Sequence, residues 1–366
     1  MKQIYKITSL SFGFRAGLSL YFCLVLVVNT SYGQIIGGDN IYEFLNASPS
    51  ARVTALGGSL ISVRDDDASL AHENPAVLNE GMHNQLSVNH VFHVLDIQQG
   101  YATYARHLKQ WGITAQAGMQ YISYGDFDAT DETGAIIGSF KANEYAFSVG
   151  ASKQLYEKLA LGANLKVITS QFEDYNSVGL AADIGAYYQD TSGRFSAALV
   201  FKNAGVQLTK YDEVREDLPY DVQIAISQKL KHLPFRFTIT YHDLHRWNIR
   251  YDDPNTEEDV FLLTDSTSQS NDNFKIFADN FFRHMNFSGE FLLGKKQNLR
   301  IRVGYNHQRR KELTVDSFRS LTGFSAGIGM KINRFRISFG HAFYHLAGGT
   351  NHFSIATDLG SFRRRA

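Results

Sequence analysis

The sequence predicts an all-β protein, a transmembrane antiparallel β-barrel of about 14 strands preceded by an N-terminal plug or hatch segment. Three observations support this prediction. The chain begins with an export signal, most of its length alternates between apolar and polar residues, and short links alternate with long ones. The balance of 36 lysines and arginines against 36 aspartates and glutamates argues against a nucleic-acid partner, which would require a basic excess.

Residues 1–33 are predicted to be a secretory signal peptide. Three basic residues precede the apolar run 18–28, and the small residues Ser31 and Gly33 stand just before the expected cleavage site. The alternative is a membrane anchor helix, but the run is shorter than the roughly 20 apolar residues that a spanning helix needs. Cleavage removes Cys23, the single cysteine, which excludes disulfides, thiolate metal sites and cysteine nucleophiles from the mature chain.

Residues 34–84 are predicted to form the plug or hatch, because they contain short helical and turn segments instead of long alternation. The pair Gly57 and Gly58 has two interpretations. It supplies a positive-φ turn or a close approach that lets the leader fold into the barrel mouth, or it is an ordinary flexible turn.

Residues 85–362 are predicted to form the barrel. In the segment 297–308, for example, Ile301 and Val303 alternate with Arg300 and Arg302. Most segments reach the ~9–11 residues that cross a bilayer at the barrel tilt, whereas strands of globular proteins average about 5–6 residues. The 27 phenylalanines and 19 tyrosines would also suit the core of a soluble sandwich, but these strand lengths favour an apolar outer face against outer-membrane lipid.

The links between strands are predicted to differ at the two ends of the barrel. Those after even-numbered strands are short, whereas those after odd-numbered strands include 125–137, 204–218, 309–317 and the polar, acidic stretch 246–281. Transmembrane barrels have short periplasmic turns and long external loops, so the long links should lie outside the cell. An even number of strands also places the first and the last residue of the barrel, and the leader before them, on the periplasmic side.

The leader resembles a known family. The arrangement Ala51-Arg52-x-x-Ala55-Leu56-Gly57-Gly58, followed by the acidic residues 65–67 and by Asn74-Pro75-Ala76, resembles the N-terminal segment of the PorV/PorQ branch of FadL-like outer-membrane barrels in Bacteroidota. Residues 41–52 are more similar to PorQ than to PorV. The resemblance extends over residues 37–360 in order and length, and it is specific in the leader and generic over the strands.

This resemblance implies a fourteen-stranded outer-membrane barrel with a hatch that belongs to the type IX secretion system. There it implies membership of the attachment complex with PorU, PorV and PorZ, which removes C-terminal signals from cargo and couples cargo to anionic lipopolysaccharide. Because the chemistry belongs to PorU, the chain is expected to be non-enzymatic and to anchor PorZ. The alternative is a FadL-like transporter of hydrophobic molecules, in which the leader is a movable hatch.

Two groups of residues are the predicted functional sites. The first is the plug motif of the leader: Ala51, Arg52, Ala55, Gly57, Gly58, Asn74 and Pro75. The second is a basic wall on the polar face of late odd-numbered strands: Arg236, Arg300, Arg302, Arg334 and Arg336. This wall attracts anions or binds the acidic plug residues, or else its charges are ordinarily paired with acids such as Asp183, Glu290 and Asp358.

No catalytic residue, cofactor or metal site is predicted. Residues 65–67 could favour calcium, but they lack the glycine and glutamate positions of an EF-hand loop. His242 and Asp243 suggest a barrel protease, but adjacent strand residues point to opposite faces, so catalysis would need an acid from another strand. The H-E-x-x-H motif of zinc hydrolases does not occur in the sequence.

Overall fold

The computed structural model describes residues 40–93, 97–250, 269–314, 320–345 and 348–363. The predicted signal peptide 1–33 and the start of the leader lie outside the described residues. Fourteen antiparallel strands form a closed barrel in which each strand pairs with its neighbours in sequence and the last pairs with the first. The predicted fold class is therefore confirmed.

The strands follow one another along the chain without crossovers. They are β1 Gln85–Phe92, β2 Gln98–Leu108, β3 Ile113–Thr130, β4 Ile136–Tyr156, β5 Leu159–Phe172, β6 Tyr175–Gln189, β7 Phe195–Thr209, β8 Asp221–Lys229, β9 Phe235–Tyr241, β10 Met285–Leu293, β11 Leu299–Asn306, β12 Phe324–Ile332, β13 Phe335–His345 and β14 Gly348–Asp358. The α-helices are α1 Ala51–Ala55, α2 Gln269–Arg283, α3 His307–Glu312 and α4 Gly360–Arg363. Within the described ranges, no helix has the length and apolar character needed to cross a membrane.

The two faces of each strand have the predicted character. On β11, Ile301 and Val303 are 41% and 48% exposed on the outside of the barrel, whereas Arg302 between them is 0% exposed on the inside. Phe335 and Phe339 on β13 are likewise exposed on the outer face. Successive side chains of a strand point to opposite faces, so the alternating sequence gives the barrel an apolar outer face and a polar inner face.

The ends of the barrel differ as predicted, with one correction. We call the end with the long links external and the end with the tight turns periplasmic, as the sequence predicts. The β4–β5 and β12–β13 links are tight turns of residues 157–158 and 333–334, whereas α2 lies in the long β9–β10 link and α3 in the β11–β12 link. The predicted loop 125–137 is mostly strand, since β3 and β4 keep pairing beyond the length that crosses a bilayer. Phe127 and Phe140 stack across this extension with ring centroids 5.2 Å apart.

The leader does not stay at the periplasmic mouth, which corrects the sequence-based expectation. Asn40 forms a β-bridge with Asp217 in the external β7–β8 link, whereas Asp66 contacts Lys331 and Arg336 beside the tight β12–β13 turn. The leader therefore runs through the lumen from the external end to the periplasmic end before it enters β1. The even number of strands determines the end of the barrel at which β1 starts, but it does not constrain the path of the chain before β1.

The hydrophobic core lies between the leader and the inner wall of the barrel. Fully buried aliphatic side chains of the leader, including Leu60, Ile61 and Leu70, pack against inward-facing wall residues. Most wall residues of this cluster are small, and they are Ala105, Ala160, Tyr187, Ala198, Val200 and Ala225. Each large aliphatic side chain buried in this way contributes about 1.5–3 kcal/mol, so the leader packs as an integral part of the fold.

Candidate functional site

Helix α1 packs directly on the barrel wall at a pair of glycines. Gly327 on β12 and Gly340 on β13 are register partners. A Cβ atom at Gly340 would lie 2.2 Å from the carbonyl oxygen of Ala51, and one at Gly327 would lie 2.5 Å from the Cβ of Ala55. Only glycine allows α1 to come this close, as expected where another backbone approaches a strand.

The plug residues Gly57 and Gly58 form the turn that ends α1. Their φ angles are +87° and +98°, a region that side chains with a Cβ rarely adopt. The Gly57 amide donates a hydrogen bond to Ser325 Oγ at 3.0 Å, and a Cβ at Gly304 of β11 would lie 2.2 Å from the same nitrogen. This geometry favours the interpretation of a required turn with close approach over that of a flexible turn.

The second half of the plug motif packs on another glycine pair across the lumen. Gly162 of β5 and Gly185 of β6 are also register partners. A Cβ at Gly162 would lie 2.4 Å from the carbonyl carbon of Pro75, and one at Gly185 would lie 2.0 Å from Asn74 Oδ1. Asn74 also accepts a hydrogen bond from the Ala76 amide at 2.9 Å, which caps the 3₁₀ turn Pro75–Val77.

The wall glycines were missed by sequence reasoning, which singled out only the glycines of the leader. Their signal is present in the sequence, because glycine inside a strand weakens it and often marks a close backbone contact. The two register pairs and Gly304 all face the plug motif. The leader is thus held at two opposite parts of the wall.

Arg52 of the plug motif is the centre of a buried charge network. Its guanidinium contacts Asp65 at 2.7 Å, Asp67 at 3.0 Å and the wall residue Glu290 at 3.2 Å. Arg52 is almost completely buried, as is Glu290. We call this network the Arg52 cluster, and it consists of Arg52, Asp65, Asp66, Asp67, Arg236, Glu290, Arg300, Arg302 and Arg336.

Four arginines of the predicted basic wall belong to the Arg52 cluster. Arg236 and Arg302 contact Glu290, the latter at 2.9 Å. Arg300 contacts Asp65 at 3.1 Å, and Arg336 contacts Asp66. The wall therefore binds the acidic leader residues and is also paired with an acid of the wall itself, so each of the two interpretations describes part of it.

Arg334 is not part of this cluster, which corrects its assignment to the basic wall. It lies in the tight turn before β13, outside the paired strand, where the strict alternation of faces no longer applies. Its guanidinium lies over the ring of Phe362, 4.9 Å from the centroid. This contact is a cation–π interaction at the periplasmic rim.

Asp65 and Asp67 of the leader stay ionised because of their arginine partners. Burial by itself raises the pKa of Asp65, but the charges of Arg52 and Arg300 outweigh it and hold that pKa well below its usual range. For Asp67, burial again acts to raise the pKa, and the charges of Arg52 and Arg336 lower it overall. The contacts are therefore ion pairs across the pH range of the cell envelope.

A second set of buried charges holds the middle of the leader. Lys202 of β7 contacts Glu73 of the leader at 3.4 Å, and Lys166 of β5 contacts Asp183 of β6 at 2.9 Å. Burial lowers the pKa of the nearby His72 well below its usual value, and the charges of Lys166 and Lys202 lower it further. The sequence suggested Asp183 as a partner for the arginine wall, but its partner is a lysine.

The external rim differs from the prediction for His242 and Asp243. Strand β9 ends at Tyr241 and Asp243 has a φ of +54°, so the two side chains are not on opposite faces, and His242 Nδ1 lies 2.8 Å from Asp243 Oδ2. Asp221 of β8 accepts a hydrogen bond from the Asp243 amide at 2.7 Å. Asp221, Asp243 and His245 place one potential ligand atom each within 4.8 Å of one another.

Comparisons with known proteins support the fold. Neither a protein-family model nor a curated protein matches the sequence. The crystal structure of the Pseudomonas putida toluene transporter TodX matches with a TM-score of 0.50 and 11% identity, over 85% of this chain and 96% of TodX. The chain therefore has a TodX-like fold. A Pseudomonas aeruginosa FadL homologue matches with a TM-score of 0.48 and 10% identity, over 85% of this chain and 98% of the homologue.

Proposed function

We propose that this chain is a non-enzymatic, permanently plugged outer-membrane barrel that anchors a surface protein of the type IX secretion attachment complex. The partner is a PorZ-like protein, with PorU and PorV in the same complex. The observation that supports this function best is the way the leader is held. Two glycine pairs and two sets of buried ion pairs fix it to opposite parts of the wall.

A fixed plug makes the barrel a support, so the external links are the parts available to a partner. Helices α2 and α3 contact each other there, with Lys311 Nζ 3.2 Å from Asp279 and His307 Nε2 3.7 Å from it. Trp247 packs on Phe277 with ring centroids 5.2 Å apart. These contacts join the β9–β10 and β11–β12 links into a platform above the barrel, which suits protein docking.

This function predicts that residues 246–281 are needed for partner capture and not for the barrel. Replacing them with a short turn should leave a barrel whose gel migration changes on heating, while co-purification of the PorZ-like partner from solubilised outer membranes falls strongly. A matched control shortens the β3–β4 extension by replacing residues 126–141 with a turn. Partner recovery equal to that of the unaltered chain after loss of 246–281 would reject the anchoring role.

The second candidate function is transport of small hydrophobic molecules, and the structural comparison taken alone favours it over anchoring. TodX is a toluene transporter, and its likeness to this chain covers nearly its whole length. Transport would require the leader to move as a hatch. We rank it second because that movement would separate buried ion pairs such as Arg52–Glu290 and Lys202–Glu73, a change that typically costs several kcal/mol.

A reversible lock on the leader separates the two functions. Ser62 Oγ of the leader lies 2.7 Å from Ser227 Oγ of β8, so the double variant Ser62→Cys/Ser227→Cys places two thiols within disulfide reach in a chain without other mature cysteines. Anchoring predicts no uptake of labelled toluene or fatty acid into liposomes, and unchanged partner capture when the lock is oxidised. Uptake that stops on oxidation and returns on reduction would establish transport and reject the permanent plug.

A further inference from the structure

A cavity of about 210 Å³ opens at the periplasmic end of the lumen, beside the Arg52 cluster. It lies between the acidic leader residues, the β10–β11 turn and the end of β12. Its lining is dominated by cationic and amide groups, and those that the argument below uses are Lys296, Gln297, Asn298, Arg302 and Lys331. This cavity lies at the end opposite the proposed docking platform.

The charges around the cavity do not balance. The Arg52 cluster contains five arginines and four carboxylates, and each of these carboxylates already forms an ion pair with at least one of the arginines. Lys296 and Lys331 add two more cations at the rim, where Lys331 shares Asp66 with Arg336. An excess of positive charge next to a low-dielectric wall is costly unless an anion compensates it.

One donor in this lining has no partner. Arg302 is fully buried, and it contacts Glu290 through Nε and Ser338 Oγ through Nη1 at 3.2 Å. Its Nη2 has no hydrogen-bond partner among the described residues. A Cβ at Gly329 would lie 2.7 Å from both terminal nitrogens of Arg302, so the absence of a side chain at Gly329 makes room for the guanidinium at the cavity.

From the cavity, the excess cations and the unpaired Arg302 donor, we propose that this site binds a phosphate group. A tetrahedral oxyanion can accept hydrogen bonds from Arg302 Nη2 and from the amide side chains of Gln297 and Asn298, while Lys296 and Lys331 supply point charges. The same chemistry is offered by inorganic phosphate and by a phospholipid headgroup of the periplasmic leaflet. The site is independent of the proposed anchoring function, because it lies at the other end of the barrel.

The test uses the full mature barrel purified in a neutral detergent and titrated with inorganic phosphate by calorimetry. We expect saturable binding that Lys296→Gln weakens about three- to tenfold through loss of one rim charge. Lys295→Gln is the matched control, since Lys295 is exposed in the same turn but does not line the cavity. Equal affinities of the Lys296→Gln and Lys295→Gln variants for phosphate would overturn the proposal. So would a barrel that binds neither inorganic phosphate nor the phospholipid used in the second experiment below.

A second variant tests the buried donor, and a lipid arm identifies the source of the phosphate. Arg302→Lys keeps the charge but loses the guanidinium donors, and it should weaken binding by about tenfold or more. Native mass spectrometry with phosphatidylglycerol then distinguishes the two sources. Retained lipid that Lys296→Gln releases supports a headgroup site, binding of inorganic phosphate alone supports a free-phosphate site, and lipid retention unaffected by Lys296→Gln counts against the proposal.

Discussion

Arg52 joins parts of the chain that lie far apart in sequence. Its one guanidinium contacts two leader carboxylates and, on the barrel wall, Glu290, which is 238 residues away. A buried ion pair gives little net stability compared with a well-packed apolar side chain, but removing one partner leaves buried charge behind. The side chain therefore specifies where the leader lies more than it adds to overall stability.

Removal of this guanidinium should destabilise the plugged barrel. Arg52→Met leaves Asp65, Asp67 and Glu290 with fewer partners, and we expect the free energy of unfolding to fall by about 3–5 kcal/mol. Chemical unfolding in detergent, followed by circular dichroism, measures this change. Arg194→Met, at an exposed position, should change stability by less than about 0.5 kcal/mol. Similar losses in both variants would contradict the role of Arg52.

Acid should weaken the same contacts. The pKa values of Asp65 and Asp67 are lowered in the folded chain, so their contribution to stability is present above the ordinary carboxyl pKa of about 3.9. It is lost as the pH falls from there through the lowered pKa values. We expect the denaturant concentration at the midpoint of unfolding to decrease as the pH drops below about 4. The decrease should be less steep in Asp65→Asn. A parallel decline in the two proteins would show that Asp65 carries no such linkage.

The individual arginines of the wall could be predicted from alternation, but their partners could not. Period two places Arg300, Arg302 and Arg336 on the inner face, and it says nothing about which acid meets them there. Asp243 shows a second limit, since its positive φ at the end of β9 brings its side chain to His242. Arg334 shows a third limit. The alternating pattern of the sequence includes Arg334, but β13 begins one residue later, at Phe335.

Among the secondary-structure elements, the register of glycines decides where the leader packs. Gly162 pairs with Gly185 and Gly327 pairs with Gly340, so each pair forms a flat site on the inner wall. The leader places the backbone or short side chains of its motif against these sites. Two strands supply each site, so a shift of register in either hairpin would separate the pair and close the space.

A methyl group at one of these sites should loosen α1 without opening the barrel. In Gly340→Ala the added Cβ meets the Ala51 carbonyl oxygen, and we expect a loss of about 1–3 kcal/mol with faster proteolysis of the leader. Heat-modifiable gel migration should persist, because the hydrogen bonds between the strands are unchanged. Gly138→Ala is the control, since its nearest contact would be at 4.0 Å. Equal protection of the leader in the two variants would show that the glycine is dispensable.

The strands could be predicted from the sequence, whereas the path of the leader could not. Alternation and link length reflect a local requirement, namely that one face meets lipid and the other the lumen. The leader is positioned by contacts with strands that are up to about three hundred residues away, such as the hydrogen bond from the Ala51 amide to Ser354 Oγ. The β3–β4 extension was also missed, because beyond the bilayer no alternation of polarity is needed.

For the whole molecule, the direction of the leader gives a topology that labelling can test. The sequence has no cysteine after Cys23, so single substitutions in the leader and barrel report one position at a time once the predicted signal peptide is removed. In intact cells a membrane-impermeant maleimide should label Asn40→Cys and Thr133→Cys, both at the external end, and should not label Lys158→Cys in the tight β4–β5 turn. Lysed cells should label all three. Labelling of Lys158→Cys but not of Asn40→Cys in intact cells would reverse the orientation.

The seam between β1 and β14 has a consequence for biogenesis. The ring of hydrogen-bonded strands leaves no gap in the wall, so a leader that arrived after closure would have to enter through a mouth of the barrel to reach the glycine sites. We expect the leader to pack against the inner wall before β14 pairs with β1, because the open sheet exposes the glycine sites directly. A barrel that closed without the leader would leave Arg300 and Arg336 without the carboxylates that they contact in the folded chain.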